Sequence, residues 1–212
     1  MKIILKDEEI LFRGGNRLCF VHPDDHNIIL KVVTPEKKPD ARRKAAPLYK
    51  KFRPLSAFDI NLKELNAFER LGTKGDKVWR HFPRCFGIVE TDLGDALCQE
   101  LIREEDGSIS KTLGSYLNEK RVTGEMRRAV EEFLLFLLNN MIVVRDLRTE
   151  NLIVRKKTGD LCIYMIDGIG DSDFIPIADI SNSWAKYKIK RKLNKFRYHL
   201  STTKQAIGDE RK

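Results

Sequence analysis

Short apolar and β-branched runs dominate the first hundred positions and predict β-strands there. Between the first two runs lies Gly14-Gly15-Asn16, a composition typical of a tight hairpin turn. The predicted strands are Ile10–Phe12, Leu18–Val21, Ile28–Val33, Cys85–Glu90 and Ala96–Ile102. We therefore expect a small antiparallel sheet in this half of the chain.

Apolar residues recur at helical spacing elsewhere. From Phe58 to Leu71 they fall every three or four positions, and Gly72 ends the pattern. Thr123 is a favourable N-cap for a long helix reaching Asn140. Shorter patterns predict helices over Ser110–Leu117 and from about Ser181 to Leu200, the latter with a core-facing stripe of Ile189, Leu193 and Phe196. The segment containing Pro35, Pro39, Pro47 and Pro54 is predicted to be a loop.

Two more short strands are predicted in the second half, Asn151–Val154 and Leu161–Ile166, about a turn at Lys157–Asp160. Strands therefore come mainly first and helices mainly later, which is typical of an α+β fold with two lobes. We place the strand-rich lobe at residues 1–102 and the helical lobe at residues 103–212.

Composition is that of an ordinary globular protein rather than a disordered tail. The chain has 212 residues, of which 42% are hydrophobic and 33% charged. Its longest apolar-rich stretch, Phe133–Val144, spans about 12 residues, whereas a bilayer-spanning helix needs roughly 20. The N-terminus lacks the pattern of a secretory signal, and Cys19, Cys85, Cys98 and Cys162 have no metal-binding spacing. We expect reduced thiols in a cytoplasmic protein, with the four histidines in surface or turn positions.

The formal net charge is +9, and the basic excess is concentrated in two clusters. We interpret both clusters mainly as solvated surface, but each could hold an anionic partner, and a nucleic-acid-associated function is one alternative. The first cluster is Lys37, Lys38, Arg42, Arg43, Lys44, Lys50, Lys51 and Arg53. The second is Lys186, Lys188, Lys190, Arg191, Lys192, Lys195 and Arg197.

Candidate chemistry lies in the second half of the chain. Asp146 and Asn151 are five residues apart and precede a predicted strand, and Asp167 ends the next strand before Gly168. One carboxylate can orient an attacking hydroxyl, while an amide oxygen and another carboxylate suit Mg²⁺, which prefers oxygen ligands. This set of residue types fits phosphoryl transfer. Asp146, Asn151 and Asp167 could also be ordinary turn residues.

The same residues carry a resemblance to protein kinases. Arg145–Asn151 is similar to the kinase catalytic loop, and Asp167-Gly168-Ile169-Gly170 is similar to the metal-binding turn. Lys31 and Glu64 match the positions of the phosphate-binding lysine and its ion-pair partner. More closely, the chain resembles the YrbL family of PhoP regulatory network proteins, small bacterial kinase-like proteins. The residues suggesting this are Arg17–Pro23, Phe86–Gly94 and Ile169–Ile177.

The resemblance implies a two-lobed protein-kinase-like fold with a truncated helical C-terminal lobe, binding ATP and Mg²⁺ between the lobes. It gives Lys31, Asp146 and Arg148 to catalysis, with Arg148 contacting the γ-phosphate. Independently of the resemblance, Arg148 could instead pair with Glu150 or another acid. The resemblance gives Asn151 and Asp167 to the metal. The implied nucleotide-binding residues are Gly14, Gly15, Asn16, Arg17, Lys31 and Glu64, with Glu100 and Ile102 in a hinge running from Gln99 to Ile102.

The chain also departs from the kinase pattern. Its glycine-rich turn is short, Val144 replaces the usual histidine, and only 45 residues follow Asp167. We therefore expect an ATP-dependent phosphotransferase acting on an unidentified hydroxyl-bearing acceptor, small molecule or protein. A pseudokinase that binds nucleotide and regulates a partner is the main alternative.

Overall fold

The computed structural model describes residues 2–119, 121–157, 159–170 and 182–208. The chain forms two compact units, which are described in turn. The first comprises Met1–Thr73 and Pro83–Leu101, and the second comprises Lys74–Phe82 and Ile102–Lys212. The expectation of a mixed α and β protein with an antiparallel sheet is confirmed.

The first unit contains a five-stranded antiparallel sheet, whose strands lie in the order β1 (Ile10–Arg13), β2 (Arg17–Val21), β3 (Ile28–Val33), β5 (Gly94–Glu100) and β4 (Cys85–Thr91). Side chains of its strands, among them Phe20, Leu30 and Cys98, pack in a core together with Leu5 of the segment that precedes β1. All five strands predicted from the sequence are present.

The helix predicted from Phe58 to Leu71 is confirmed as α3, Ile60–Gly72. It begins slightly later because Asp59 caps it, accepting hydrogen bonds from the backbone N–H groups of Asn61 and Leu62. Its buried face contains Phe68 and Leu71 together with two polar residues, Asn61 and Glu64.

The prediction that the proline-rich basic segment forms a loop is wrong. This segment contains two short helices, α1 Pro39–Ala45 and α2 Leu48–Lys51, and 3-10 turns at Pro35–Lys37 and Leu55–Phe58. Proline has a fixed φ and needs no amide partner in a first helical turn, so it can begin a helix as well as interrupt one. Here the prolines lie at or just before the starts of these elements.

In the described part of the second unit, three α-helices accompany a two-stranded hairpin. Thr123 caps the long helix as predicted, since its hydroxyl accepts from the Met126 N–H at 3.2 Å. The predicted stripe of Ile189, Leu193 and Phe196 is buried. The elements are α4 Leu113–Asn118, α5 Gly124–Asn139, β6 Leu152–Lys157, β7 Asp160–Met165 and α6 Asn182–Gly208.

His81 lies in a turn, which agrees with the expectation that the histidines occupy surface or turn positions, but its side chain has a packing role. Its ring is buried, its Nδ1 lies 2.8 Å from the carbonyl oxygen of Ile163, and its ring centroid is 4.6 Å from that of Phe136. Burial lowers the pKa of this imidazole. His81 therefore joins the 74–82 segment to β7 and α5 within the second unit.

No disulfide joins the four cysteines, and burial raises the pKa of the Cys98 thiol to about 11. Within the described part of the chain, we find no helix that combines the length and apolar character needed to cross a bilayer.

Candidate functional site

Lys31 lies in the centre of the sheet of the first unit. It belongs to β3 and faces Cys19 of β2 and Leu97 of β5 across the two ladders. The residue is only 6% exposed, although lysine is rarely buried without a partner. Its Nζ donates to Glu64 Oε1 at 3.1 Å, which joins the middle of the sheet to α3.

Glu64 is the hub of a buried polar network. Its Oε2 accepts from Arg17 Nη2, and its Oε1 accepts from Gln99 Nε2 at 3.0 Å as well as from Lys31. Asn61 lies one helical turn before Glu64 and donates to the Lys31 carbonyl oxygen at 3.0 Å. Three strands and one helix therefore converge on a single carboxylate.

Two cations keep Glu64 ionised in this buried position. Burial by itself would raise the pKa of the carboxyl group. The charges of Lys31 and Arg17, together with their hydrogen bonds, outweigh burial and lower the pKa of Glu64 to about 2. Two positive charges on one carboxylate leave this cluster with a net positive charge, which suits an anionic ligand.

The residues predicted to cover the phosphates separate into two groups. Gly14, Gly15 and Asn16 form the exposed turn between β1 and β2, closed by a 2.9 Å hydrogen bond from Gly14 N to the Arg17 carbonyl oxygen. Arg17 instead has its guanidinium on Glu64 and Asn61. It is a second partner of Glu64, a role that the sequence analysis did not anticipate.

The predicted hinge residues lie where the chain passes from the first unit to the second, between Leu101 and Ile102. The backbone N–H of Glu100 donates to the Arg84 carbonyl oxygen at 2.9 Å, and its carboxylate accepts from the Arg84 N–H. Ile102 packs with Ile153 and Tyr164 in the second unit. Gln99, the first residue of the predicted hinge, contributes its buried side chain to the Glu64 network.

In the second unit the predicted catalytic loop and the Asp167-Gly168 turn are tied together by their backbones. The N–H groups of Arg145 and Asp146 donate to the Gly168 carbonyl oxygen at 2.6 and 3.2 Å. The Ile166 N–H donates to the Asn151 carbonyl oxygen at 3.0 Å. These bonds bring Asp146, Asn151 and Asp167 into one neighbourhood.

Side chains within this neighbourhood also contact one another. Asn151 Nδ2 donates to the Asp146 carbonyl oxygen at 3.0 Å and to Asp146 Oδ2 at 3.3 Å. Arg148 Nη2 lies 2.6 Å from the same Oδ2, so Arg148 pairs with an acid, as one of its two predicted roles required. Asp167 Oδ1 accepts from the Gly168 N–H at 2.6 Å.

Gly168 is required by both conformation and space. Its φ is +78°, a region that side-chain-bearing residues rarely adopt. A Cβ at this position would lie 2.8 Å from both the Cβ and the carbonyl oxygen of Asp146. The glycine therefore permits the close approach between the two segments that carry the candidate carboxylates.

Lys192 of α6 is a residue that the sequence analysis missed in this role. Its Nζ donates to the carbonyl oxygens of Val144 and Arg145, the latter at 2.7 Å. It thereby fixes the two residues immediately before Asp146. The sequence placed Lys192 only within a basic cluster, and its contact spans 48 positions, so no local signal revealed it.

The donor set fits Mg²⁺ bound together with phosphates rather than a self-sufficient metal site. Among the described residues, no group of three or more His, Cys, Asp and Glu side chains could hold a metal ion. Asn151 and Asp167 supply hard oxygen donors, one amide and one carboxylate. Mg²⁺ commonly uses one or two protein carboxylates and takes its other ligands from substrate phosphates and water.

Sequence comparison identifies the family. The family model of the PhoP regulatory network protein YrbL matches residues 3–201. The chain belongs to this YrbL family. It is 27% identical over 195 residues to the uncharacterized protein YrbL of Escherichia coli (strain K12), covering 90% of this chain and 82% of the relative. The uncharacterized protein YrbL of Shigella flexneri matches with the same identity and coverage.

Most of the residues that suggested the YrbL family lie in described parts of the chain. Arg17–Pro23 covers β2 and the start of the following turn, and Phe86–Gly94 covers β4 and its connection to β5. Of Ile169–Ile177, only Ile169 and Gly170 are described; positions 171–177 lie outside the described residues. The residues of both clusters described above lie within the range matched by the family model.

Proposed function

We propose that this YrbL-family chain is an ATP- and Mg²⁺-dependent phosphotransferase with a protein-kinase-like fold. The buried Lys31–Glu64 pair is the observation that carries the proposal. A buried ion pair is seldom an efficient way to stabilise a fold, because desolvation costs about as much as the attraction returns. A lysine held in the middle of a sheet by a carboxylate from the next helix is well explained by binding phosphate oxygens.

Element order supports the kinase-like fold. A β-hairpin, a third strand bearing Lys31, a helix bearing Glu64 and a further pair of strands follow one another in the first unit. In the second unit, Asp146 and Asn151 precede the β6–β7 hairpin and Asp167 follows it. These are the positions that a phosphoryl-transfer enzyme of the kinase type requires.

Each cluster would perform a distinct part of the reaction. Lys31 would contact phosphate oxygens of ATP, with Glu64 and Arg17 fixing its position. Asn151 and Asp167 would hold Mg²⁺, which offsets negative charge on the phosphates when bound. Asp146 would orient the acceptor hydroxyl and accept its proton.

The transfer itself is a displacement at the γ-phosphorus. The hydroxyl oxygen of the acceptor forms a bond to phosphorus while the bond to the β,γ-bridging oxygen breaks, releasing ADP. The transition state is loose, so positioning and charge stabilisation contribute most of the catalysis. Because ATP is the phosphoryl donor, the proposed location is the cytoplasm.

Calorimetric titration with ATP tests the nucleotide part of the proposal. Wild type should bind ATP in the presence of Mg²⁺, and Lys31→Met and Asp167→Asn should each weaken binding about tenfold or more, since each removes a charged contact. Lys157→Met changes an exposed lysine at the end of β6 and serves as the control. Failure of wild type to bind millimolar ATP would reject the nucleotide function.

A second candidate is a nucleotide-responsive binding module without turnover. The observation favouring it is the contact of Asp146 Oδ2 with both Arg148 and Asn151, which occupies the carboxylate that would receive the proton. Transfer of labelled phosphate from ATP in cell lysate separates the two functions. Label transferred by wild type but not by Asp146→Ala supports the enzyme, whereas ATP binding without any transfer supports the module.

A further inference from the structure

The segment between β3 and α3 presents an unusual surface in the first unit. Neither α1 nor α2 buries a single residue. Short helices are normally held in place by burying one face against the rest of the protein, because isolated helices of this length are unstable in water. The surfaces of α1 and α2 are therefore available for contact with a partner.

Large apolar side chains occupy this surface. Phe52 is 87% exposed, Leu48 73% and Tyr49 68%, three residues within five positions. Leu55, at the start of the next turn, is 37% exposed. Single exposed apolar residues are ordinary, but a group this dense marks an interaction surface. We call Leu48, Tyr49, Phe52 and Leu55, with Lys50, Lys51 and Arg53 among them, the 48–55 patch.

Positive charge surrounds these apolar residues. From Pro35 to Phe58 the chain has eight Lys and Arg residues and two acidic residues, Glu36 and Asp40, so the net charge is 8 − 2 = +6. Asp40 lies 3.7 Å from Arg43, an exposed pair on α1. Charge complementarity therefore points to an anionic partner.

We propose that the 48–55 patch docks on the surface of a bilayer containing anionic lipids. Interleaved basic and apolar residues match a membrane interface, where cations meet headgroups and apolar side chains enter the acyl boundary. Binding strength increases with both the buried apolar area and the attraction of basic residues to anionic lipids, and the 48–55 patch offers both. This proposal does not depend on ATP binding.

Other anionic partners fit the patch less well. Nucleic-acid bases stack on aromatic rings, which would use Tyr49 and Phe52 but leave the aliphatic Leu48 in water. A protein groove that binds a helix contacts apolar residues spread over several helical turns. Because α2 has only four residues, it is too short for this mode of binding. A fluid interface accepts aliphatic and aromatic side chains alike and imposes no helical register.

Vesicle sedimentation with the full chain tests the proposal. Wild type should sediment with phosphatidylcholine vesicles containing about one-third phosphatidylglycerol and much less with phosphatidylcholine alone, and salt of about 0.5 M should weaken the binding. Leu48→Ser/Phe52→Ser should reduce the affinity for anionic vesicles about tenfold or more. Lys50→Glu/Lys51→Glu should reduce it at least as much, because each charge contributes.

Matched controls carry the same changes outside the patch. Phe86→Ser alters an exposed aromatic residue on β4, and Lys186→Glu/Lys190→Glu alters exposed lysines on α6. Both controls should bind anionic vesicles within about twofold of wild type. Patch variants that bind as well as wild type, or controls that lose as much affinity, would overturn the proposal.

A direct measure of insertion uses Phe52→Trp. Brominated acyl chains should quench the fluorescence of this variant more than that of wild type, which provides the blank for Trp79 and Trp184. Equal quenching in both proteins would show that position 52 stays outside the acyl boundary and would contradict docking through the patch. Binding of a single-stranded oligonucleotide that needs Tyr49 and Phe52, with no vesicle binding, would replace the lipid surface by a nucleic acid.

Discussion

Glu64 accepts hydrogen bonds from three side chains that lie 33, 35 and 47 positions away in the sequence. Removing the Glu64 carboxylate should destabilise the fold, because Lys31 and Arg17 would remain buried without their counter-charge. The carboxylate therefore ties the function proposed for Lys31 to the stability of the first unit.

We predict that Glu64→Gln lowers the free energy of unfolding at neutral pH by about 3–5 kcal/mol, because two buried cations lose their counter-charge. Urea unfolding monitored by circular dichroism measures this change. Glu69→Gln, on an exposed position of the same helix, should change stability by less than about 0.5 kcal/mol. Equal effects of the two substitutions would show that the Glu64 network is not stabilising.

The free energies of unfolding of wild type and Glu64→Gln should depend differently on pH. The folded pKa of Glu64, about 2, is below its ordinary value of 4.5, so its carboxylate adds about 3 kcal/mol of stability above pH 4.5. That contribution is lost as the pH falls from 4.5 towards 2. We expect the unfolding free energies of wild type and Glu64→Gln to converge over this range. A constant difference down to pH 2 would contradict the assignment.

Alanine substitutions at two glycines with positive φ can separate the cost of backbone strain from the cost of steric crowding. Gly159 has φ +92°, and among the described residues other than its chain neighbours no atom lies within 4 Å of an added Cβ, whereas at Gly168 that Cβ would lie 2.8 Å from Asp146 atoms. We predict a loss of about 1–2 kcal/mol for Gly159→Ala from conformation alone, and a larger loss for Gly168→Ala. Thermal unfolding of both variants gives the comparison, and similar losses would argue against the close contact.

At the scale of elements, α6 supports the loop that bears Asp146. Lys192 reaches the carbonyl oxygens of Val144 and Arg145, while the N–H groups of Arg145 and Asp146 are held by Gly168 on the other side. Backbone groups fixed on both sides have little freedom to move. Lys192 is thus a positioning residue for the proposed reaction.

We predict that Lys192→Met lowers kcat for phosphoryl transfer about tenfold to a hundredfold, because small displacements of a catalytic group are costly. ATP affinity, measured by calorimetry, should change little, so the loss should appear in kcat rather than KM. Lys192→Arg should restore part of the rate, since it retains a donor of the right charge. Lys195→Met, exposed on the same helix, is the control. If Lys195→Met lowered kcat as much as Lys192→Met, the positioning role of Lys192 would be rejected.

The elements also show where sequence patterns were sufficient. Apolar patterns predicted α3, α5 and the strands β2, β3 and β5 because each of these elements buries apolar side chains, and burial is what a hydrophobic pattern encodes. They failed for α1 and α2, which have no buried face, and the prolines at their starts made them resemble a loop.

At the scale of the whole molecule, ligand binding should appear as added stability. A ligand present at about 100 times its dissociation constant stabilises the folded state by about 2.7 kcal/mol, or roughly 5–10 °C for a chain of this size. We predict such a shift for ATP with Mg²⁺ and a much smaller one for ATP with a chelator. Thermal unfolding with and without nucleotide measures it.

Two variants sharpen that measurement. Asp167→Ala should abolish most of the Mg²⁺-dependent shift, since it removes the carboxylate proposed to hold the metal. Asp160→Ala, an exposed residue at the start of β7, should leave it intact. If ATP stabilised wild type equally with and without Mg²⁺, the metal role of Asn151 and Asp167 would be lost even though nucleotide binding would stand.

The sequence by itself determined most of the elements that have a buried face, the Thr123 cap that begins α5, and which carboxylate and amide residues form the candidate site. These features depend on neighbours a few positions apart, so a local pattern records them. Tertiary structure alone decided that Arg17 and Gln99 contact Glu64, that Asn61 donates to the Lys31 carbonyl oxygen, and that Lys192 supports the Asp146 loop. Contacts that span 30 to 50 positions arise only when separate elements pack, and no local pattern specifies which distant side chains will meet.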